Sequence, residues 1–254
     1  LPPGGWGRRR MLGFLTPHAA QPRRIVVLNT KGGSGKTTVA TNLAAYYAWS
    51  GRRVALMDLD AQGSSMRWLK LRPAEAAAIH GIAGYERRMN VTRAFALRSP
   101  PGTEIVVVDT PAALPVTQLA ETVRDANVIV VPVLPSEIDI HAASRCIADL
   151  LLVGKVHRSE RRLVIVANRA RRYTKAFQSL MSFLQSLRIP VAAVLRDSQA
   201  YIRSAETGLG LHEMRGALLQ EDLVTWTPFI EWLERRSGAV VPAAMDATDE
   251  PAVG

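Results

Sequence analysis

Eight consecutive residues carry the clearest chemical signal in the sequence: Lys31-Gly32-Gly33-Ser34-Gly35-Lys36-Thr37-Thr38. The glycines let the backbone curl so that successive amide N–H groups point at one oxyanion, and a helix that starts here adds its positive end. Lys36 is then placed to reach β- and γ-phosphates, and the hydroxyl of Thr37 to ligate Mg²⁺. The segment therefore predicts a phosphate-binding loop for a nucleoside triphosphate.

Carboxylates follow two of the apolar runs that are predicted to be strands. Asp58 and Asp60 end one run, and Asp109 ends the next. Mg²⁺ prefers oxygen ligands, and an attacking water needs an oriented acceptor, so acidic residues are expected beside such a loop. Each aspartate taken singly could instead cap the next turn. Their order, at the edge of the sheet where ligands bind in open α/β folds, favours a role in the site.

The loop departs from the general phosphate-binding pattern because Thr30 stands where the first glycine is usual. With Lys31 it resembles the deviant Walker A loop, K-G-G-x-G-K-[ST]-[ST], of the ParA/MinD family of ATPases. Asp58 to Gly63 is similar to the family's D-x-D-P-Q-G motif, with Ala61 replacing the proline, and Pro132 to Asp139 resembles its P-x-x-P-S-x-x-D segment. The resemblance covers roughly residues 24 to 232.

The resemblance implies a role for each residue that matches a family motif. Lys31 would reach across a dimer interface to the phosphates of the partner's ATP, so an ATP-dependent homodimer is expected. Asp60 would orient the hydrolytic water, Asp58 would support the metal shell, and Asp109, in a D-T-P stretch, would bind Mg²⁺ through water. Asn168 stands where relatives read the adenine edge, although it could instead only terminate a strand.

Six continuous apolar runs must position these residues, and they read as parallel strands covered by helices on both faces. They begin at Ile25, Val54, Ile105, Val128, Leu163 and Val191. We expect an α/β fold with a doubly wound, mostly parallel sheet. The helices between them are predicted at 37–50, 117–125, 138–153, 174–187, 199–207 and 221–236, with Gly51 and Gly208 at helix C-termini.

Composition suggests three segments along the 254 residues. Residues 1–23 are rich in Pro, Gly and Arg and are expected to form a flexible basic arm. Residues 24–238 form the ATPase domain, and the Ala/Pro/acidic segment 239–254 is expected to be a disordered tail. Residues 72–101 are less regular, and we expect a helical or loop excursion there.

The balance of charge narrows the possible partners. The chain has 32 Lys and Arg against 22 Asp and Glu, a formal charge of +10, which favours nucleic acid or an anionic membrane surface. No apolar run approaches the length of a membrane span. The single cysteine, Cys146, cannot form an internal disulfide, so a cytoplasmic setting is expected.

Basic residues in the second half of the chain indicate non-specific DNA binding in the ATP state. The predicted DNA contacts are Arg169, Arg171, Arg172, Arg196 and Arg203. Two subunits would double the phosphate contacts, which raises affinity steeply. For any one of these arginines, a plain solvated surface is the alternative. Together with this charge, the family resemblance implies a partition or positioning ATPase near the nucleoid, slow by itself and stimulated by a ParB-like or other partner protein.

Two other classes of function remain open at this point. A MinD-like membrane switch needs a basic amphipathic C-terminal helix, whereas the last helix carries Pro228, Glu231 and Glu234 and a non-basic segment follows. A metabolic enzyme on the same scaffold is the second alternative. A nitrogenase-type reductase would need two cluster cysteines per subunit, a dethiobiotin synthetase-type ligase has no need of Lys31, and a tyrosine kinase would carry a C-terminal tyrosine cluster.

Overall fold

The computed structural model describes residues 21–86, 97–216 and 219–236. The predictions for the basic arm and the acidic tail fall almost wholly outside these ranges. The first strand starts at Arg23, the last residue of the segment expected to form the basic arm. The guanidinium of Arg23 donates to the carbonyl of Leu233 and lies 3.5 Å from a carboxylate oxygen of Glu234, so this residue is anchored to the last helix.

The centre of the domain is a seven-stranded sheet in the order β3-β2-β4-β1-β5-β6-β7, in which every neighbouring pair is parallel. The strands are β1 (Arg23–Val27), β2 (Val54–Asp58), β3 (Ile79–Ala83), β4 (Ile105–Asp109), β5 (Val128–Val133), β6 (Leu163–Ala170) and β7 (Val191–Arg196). Strands β2, β4 and β5 are buried along their whole length, as their continuous apolar sequences predict.

Helices cover both faces of the sheet, which confirms the doubly wound α/β fold. The described helices are α1 (Lys36–Trp49), α2 (Ser64–Leu71), α3 (Val116–Arg124), α4 (Glu137–Leu152), α5 (Lys175–Leu187), α6 (Ala200–Thr207) and α7 (Gln220–Arg235). One core cluster joins a face of the sheet to α1, α2, α6 and α7. The other joins the opposite face to α3, α4 and α5.

The segment between β2 and β4 differs from the expectation of an irregular excursion. It contains β3, which pairs in parallel with β2 at the edge of the sheet. His80 and Gly81 of this strand are exposed, so the sequence lacks the continuous apolar run by which the other strands were predicted. The short helix α2 was also missed, because its buried face is reduced to Ser65 and Trp68.

The ends of two helices confirm the role predicted for glycine. Gly51 and Gly208 follow α1 and α6 with φ angles of 84° and 69°, a left-handed conformation that costs a residue with a Cβ more than it costs glycine. The last helix, α7, buries Trp226, Phe229 and Leu233 against the domain despite Pro228 within it. None of the helices in the described ranges has both the length and the hydropathy to cross a bilayer.

Candidate nucleotide-binding site

The phosphate-binding loop lies at the carboxyl end of the central strand β1. The chain leaves β1 for β2 on one side of the sheet, and later crosses from β4 to β5 on the other side of β1. Connections that depart in opposite directions leave a crevice at the carboxyl ends of the strands, and ligands bind there in open α/β sheets. The loop, the two acidic strand ends and Asn168 at the end of β6 all belong to this edge.

The loop has the curled backbone that an anion cradle needs. Gly33 and Gly35 have φ angles of 76° and 90°. The amide Nδ2 of Asn168 donates to the carbonyl of Ser34 at 2.9 Å, and a Cβ on Gly35 would stand 2.0 Å from the same Nδ2. Lys36 folds back over the loop, where its Nζ donates to the carbonyl of Lys31 at 3.1 Å. Asn168 is therefore packed directly against the loop.

Lys36 is largely buried at the start of α1. Burial lowers the pKa of its ammonium group, while the carboxylates of Asp109 and Asp60 oppose that shift. An ammonium group with few neighbours to solvate it is suited to binding an anion. The loop residue predicted to contact the phosphates thus lies at the start of α1 with its Nζ over the loop.

Lys31 is held by its own chain. Its Nζ lies 2.7 Å from Oδ1 of Asp139, in the first turn of α4, and Oδ2 of Asp139 accepts a hydrogen bond from the hydroxyl of Ser136. The side chain of Asp139 is 6% exposed and that of Lys31 33%. The P-x-x-P-S-x-x-D segment noted in the sequence therefore supplies a partner for Lys31.

Asp58 and Asp109 stand side by side at the ends of β2 and β4, in register. Oδ2 of Asp109 accepts two hydroxyl hydrogen bonds of 2.7 Å, from Thr37 and from Ser65. Its Oδ1 is buried and has no hydrogen-bond partner among the described residues. Burial raises the pKa of Asp109 to about 6, with a further contribution from Asp58. Burial also raises the pKa of Asp58, which backbone N–H groups partly offset.

These groups fit the Mg²⁺ ion that phosphate-binding loops use. A buried carboxylate oxygen without a partner, next to a threonine hydroxyl, is a donor pair that a hard cation accepts. The described residues contain no group of three or more His, Cys, Asp and Glu side chains that could hold a metal by themselves. Mg²⁺ in such sites is commonly bound by one or two protein oxygens together with phosphates and water. Thr37, Asp58 and Asp109 would hold it here.

Asp60 lies just outside this group of carboxylates. Its N–H donates to Oδ1 of Asp58 at 3.0 Å, and its own Oδ1 accepts from the N–H of Gln62 at 3.0 Å. The side chain is partly exposed at the mouth of the site. Its predicted role in orienting water stays a prediction.

Three supporting residues were not predicted from the sequence. Ser65 links α2 to Asp109, and Asn29 links the loop to β5, since it accepts from the N–H of Lys31 and donates to the carbonyl of Pro132. Cys146 is buried behind the loop, where its thiol contacts Thr30, and burial raises its pKa to about 11. Polar residues beside a strand end, such as Asn29 and Ser65, were the available signal.

A second concavity, the basic cleft, has a volume of about 690 Å³ and lies beside the end of β6. The cleft is lined by Arg171, Arg172, Tyr173, Arg196, Arg203 and Arg215, among others. Tyr173 is 99% exposed. Four of the five arginines predicted to contact DNA thus share one surface, and Arg169 reaches it through Asp197.

Carboxylates already pair with three of these arginines. Asp197 accepts from Nε of Arg169 at 3.0 Å and from Nη2 of Arg171 at 3.1 Å, and these hydrogen bonds are the main reason that its pKa is lowered. Arg196 pairs with buried Asp222 at 3.0 Å and with Glu221. Arg196 therefore has a structural role in joining β7 to α7, and its contact with DNA stays a prediction.

A parallel sheet with a phosphate-binding loop after its central strand and two carboxylates at the neighbouring strand ends defines a P-loop nucleotide-binding protein. Residues 25–211 match the family described as the CobQ/CobB/MinD/ParA nucleotide binding domain. The chain belongs to this family, whose ParA and MinD branch consists of ATPases.

Relatives in this family have named roles. The chain is 33% identical over 228 residues to the maintenance of carboxysome distribution protein A of Gloeobacter kilaueensis, covering 87% of this chain and 98% of that protein. The protein of the same name from Halothiobacillus neapolitanus is 28% identical over 71% of this chain and 82% of its own length. The chromosome-partitioning ATPase Soj of Thermus thermophilus is 52% identical, over 26% of each chain.

Solved structures have the same fold. A Cyanothece McdA variant in complex with ATP superposes with a TM-score of 0.64 at 14% identity, covering 87% of this chain and 98% of that chain. A plasmid partition protein from Borrelia burgdorferi bound to AMPPNP gives 0.62 at 15% identity, covering 84% of this chain and 100% of that one. The MinC:MinD complex of Aquifex aeolicus contains a chain that gives 0.62 at 17%, with 87% and 98% covered.

Proposed function

We propose that the protein is an ATP-dependent dimerising switch that binds DNA without sequence preference in its ATP state and positions a cargo along it. The observation that carries this proposal is Lys31. It lies at the phosphate loop but is bound to Asp139 of its own chain at 2.7 Å, and its side chain is one-third exposed. A lysine that served only its own nucleotide would not need to remain accessible from outside.

For the ATP-bound state, the proposal gives each residue of the loop and its surroundings a role. Residues 32–38 bind the triphosphate through backbone N–H groups, Lys36 neutralises charge on the β- and γ-phosphates, and Asn168 packs against the loop where it can contact the base. Mg²⁺ would supply charge neutralisation between the phosphates and the side chains of Thr37, Asp58 and Asp109. Asp60 orients the water that attacks, and hydrolysis returns the dimer to monomers.

Completion of the site by a second subunit would make turnover slow. Lys31 of each subunit adds a cation to the phosphates of its neighbour, and a cation supplied in trans is worth roughly 10³–10⁵ in rate in other P-loop enzymes. Hydrolysis then depends on dimerisation and on a partner protein that stimulates it. Cytoplasmic location at the nucleoid follows from the binding partners that we propose.

The basic cleft is the proposed DNA contact. Arg172 and Arg203 form no ion pair among the described residues, and the pair of Arg171 with Asp197 joins side chains that are 75% and 31% exposed, so it competes weakly. Dimerisation brings two clefts into one assembly. Affinity for DNA rises steeply with the number of phosphates contacted, so the dimer binds where the monomer does not.

The more specific part of the proposal is that the cargo which the protein positions is protein-based. The relatives that align over most of their own length bear the name of carboxysome distribution proteins, whereas the likeness to Soj is confined to a quarter of each chain. A ParB-like protein, or an adaptor on the cargo, would then act as the stimulating partner.

DNA binding can be tested by fluorescence anisotropy with a duplex of arbitrary sequence. We expect binding with ATP and Mg²⁺, little binding without nucleotide, and an affinity that falls steeply with salt. Replacing Arg171 and Arg172 by alanine should lower the slope of log affinity against log salt by roughly one for each lost contact. The control replaces the exposed Arg124 and Arg145, away from the cleft, and removes the same charge. Equal binding with and without ATP would contradict the proposal.

A membrane-positioning role is the second candidate, and flotation with anionic liposomes separates it from the first. The basic charge of the chain is the observation that favours it. Four apolar side chains of α7 are buried against the domain, which removes most of the face that an interfacial helix would insert; they are Trp226, Phe229, Ile230 and Leu233. We therefore expect ATP-loaded protein to stay with DNA and not with lipid.

A further inference from the structure

Ser65 joins the two carboxylates at the ends of β2 and β4. Its backbone N–H donates to Oδ2 of Asp58 at 3.0 Å, and its hydroxyl donates to Oδ2 of Asp109 at 2.7 Å. The residue is 0% exposed and lies in the first turn of α2. The start of α2 is thus built onto both acidic groups of the site.

The two carboxylates differ in what holds them. Asp58 accepts three backbone N–H groups, from Asp60, Ser65 and Met66, at 3.0 to 3.2 Å. Asp109 accepts only the hydroxyls of Thr37 and Ser65 among the described residues, and both go to the same oxygen. Hydrogen bonds from hydroxyls are therefore what fixes the orientation of Asp109.

Thr37 can keep its present hydrogen bond when it serves as a metal ligand. Its hydroxyl has one proton and two lone pairs, so the proton can stay on Oδ2 of Asp109 while a lone pair binds the cation. Ser65 lies in a different helix from Thr37 and donates to the same oxygen, so two helices together fix the carboxylate of Asp109. The hydroxyl of Ser65 can remain on Oδ2 when the cation binds Thr37, which keeps this carboxylate in place beside the metal.

We propose that Ser65 is a positioning residue for magnesium: together with Thr37 it holds the carboxylate of Asp109 in the orientation that the metal site needs. The assignment rests on the metal site given in the proposed function. It adds α2 to the elements that govern metal affinity. When a residue that hydrogen-bonds to a metal ligand is lost, metal affinity typically changes by roughly 10–100-fold.

The test measures binding of Mg²⁺ separately from binding of the nucleotide. Binding of a fluorescent ATP analogue is measured first in EDTA and then during a Mg²⁺ titration at fixed nucleotide. For Ser65→Ala we expect unchanged affinity in EDTA and a Mg²⁺ midpoint shifted upward by roughly 10-fold or more. Ser64→Ala is the matched control, since Ser64 is the neighbouring residue and its hydroxyl accepts from Arg67 instead of binding either carboxylate among the described contacts.

Two further variants keep the proposal open to refutation. Ser65→Thr retains the hydroxyl and should restore the wild-type midpoint if the methyl group is accommodated. Ser65→Cys, of similar volume with a weak S–H donor, should lie between serine and alanine, and serves if the alanine protein does not fold. A wild-type Mg²⁺ midpoint in folded Ser65→Ala or Ser65→Cys overturns the proposal. Each variant is compared with the wild type under the same conditions, whereas DNA binding and dimerisation are measured separately, so failure of the proposed function remains distinguishable.

Discussion

Asp139 holds Lys31 in an ion pair within one chain, with 2.7 Å between Nζ and Oδ1. Asp139 is nearly buried and also receives the hydroxyl of Ser136, so its charge is well satisfied while Lys31 is present. Movement of Lys31 to a second subunit would break this ion pair. The free energy of dimerisation must then exceed the free energy of the pair, which acts against assembly without nucleotide.

Replacing Asp139 by asparagine should ease dimerisation in ATP. The amide keeps a hydrogen bond to Ser136 but removes the charge that holds Lys31, and a partly exposed ion pair contributes about 1 kcal/mol, or roughly fivefold in an equilibrium constant. Light scattering across a range of protein concentrations with ATP measures the change. Asp149→Asn makes the same change of charge at the other end of α4. A dimerisation midpoint that is unchanged, or moves to higher concentration, would count against the predicted role of Lys31.

Gly35 is the residue of the loop where a side chain is least tolerated. Alanine there would place its Cβ 2.0 Å from Nδ2 of Asn168 and would also have to adopt a φ of 90°. We expect Gly35→Ala to lower ATP affinity by at least 100-fold, roughly 3 kcal/mol for strain and steric overlap together. Asn168→Ala should cost only about fivefold, the value of one hydrogen bond. Calorimetric titration with ATP measures the affinity of both variants. Similar losses of affinity would show that overlap with Asn168 is not what excludes a side chain at Gly35.

Much of the site could be predicted at the level of residues, because a phosphate cradle needs glycines and a lysine at fixed spacing. Lys36, Thr37 and Asp109 come together as expected, with a hydrogen bond of 2.7 Å between the last two. The ion pair of Lys31 with Asp139 could not be predicted, since 108 residues separate them and only the fold brings them together. The same holds for the packing of Asn168 on the loop.

Among the elements, α2 is the one that connects the acidic site to the rest of the domain. Its first turn binds both carboxylates, Trp68 donates to the carbonyl of Ser204 in α6 at 2.8 Å, and Arg72 follows its last residue. Arg72 forms a bidentate pair with Glu213, and both side chains are 6% exposed. Helix α2 is thus fixed at both ends.

Removal of one charge from this buried pair should be more costly than removal of both. Arg72→Met leaves Glu213 buried without its cation, which typically costs roughly 3–5 kcal/mol, whereas Arg72→Met with Glu213→Gln should recover a large part of that loss. Urea unfolding of the two single variants and the double variant gives the coupling free energy. If the free-energy losses of the two single variants add up to that of the double variant, the two residues do not interact as described.

The elements that were predicted correctly are those with continuous apolar runs. Strands β2, β4 and β5 begin where their sequences predict. Because these strands are buried on both faces, their sequences are continuously apolar and do not alternate between polar and apolar residues. Strand β3 and helix α2 were missed for one reason. Each buries few side chains, so tertiary contacts rather than local pattern decide its structure.

At the scale of the whole molecule, the two faces of the sheet have separate cores. The core beside α1 and α7 includes a cluster of aromatic rings around His212, whose ring centre lies 4.8 Å from Tyr46 and 6.3 Å from Trp226. Burial lowers the pKa of His212 from 6.5 to about 4. The folded state therefore contains a neutral imidazole at pH values where the unfolded chain binds a proton.

This histidine should make the protein sensitive to acid. Because the folded pKa lies below the unfolded one, its contribution is fully present above pH 6.5 and is lost as the pH falls toward 4, by about 3 kcal/mol over that window. His212→Phe keeps an aromatic ring without a titrating group. Unfolding free energies at several pH values should fall less steeply for the variant. If the unfolding free energy fell equally steeply with pH in the wild type and in the variant, His212 would not be the source of the acid sensitivity.

The sole thiol of the chain has a practical consequence for measuring the proposed dimerisation. Cys146 is sealed behind the loop and keeps its proton at neutral pH, so maleimide reagents should leave it untouched in the folded protein. A cysteine introduced in place of Tyr173, which stands in solvent beside the cleft, would then take a dye or spin label alone. The distance between the labels on two subunits would then report their approach, and Cys146 would not have to be replaced.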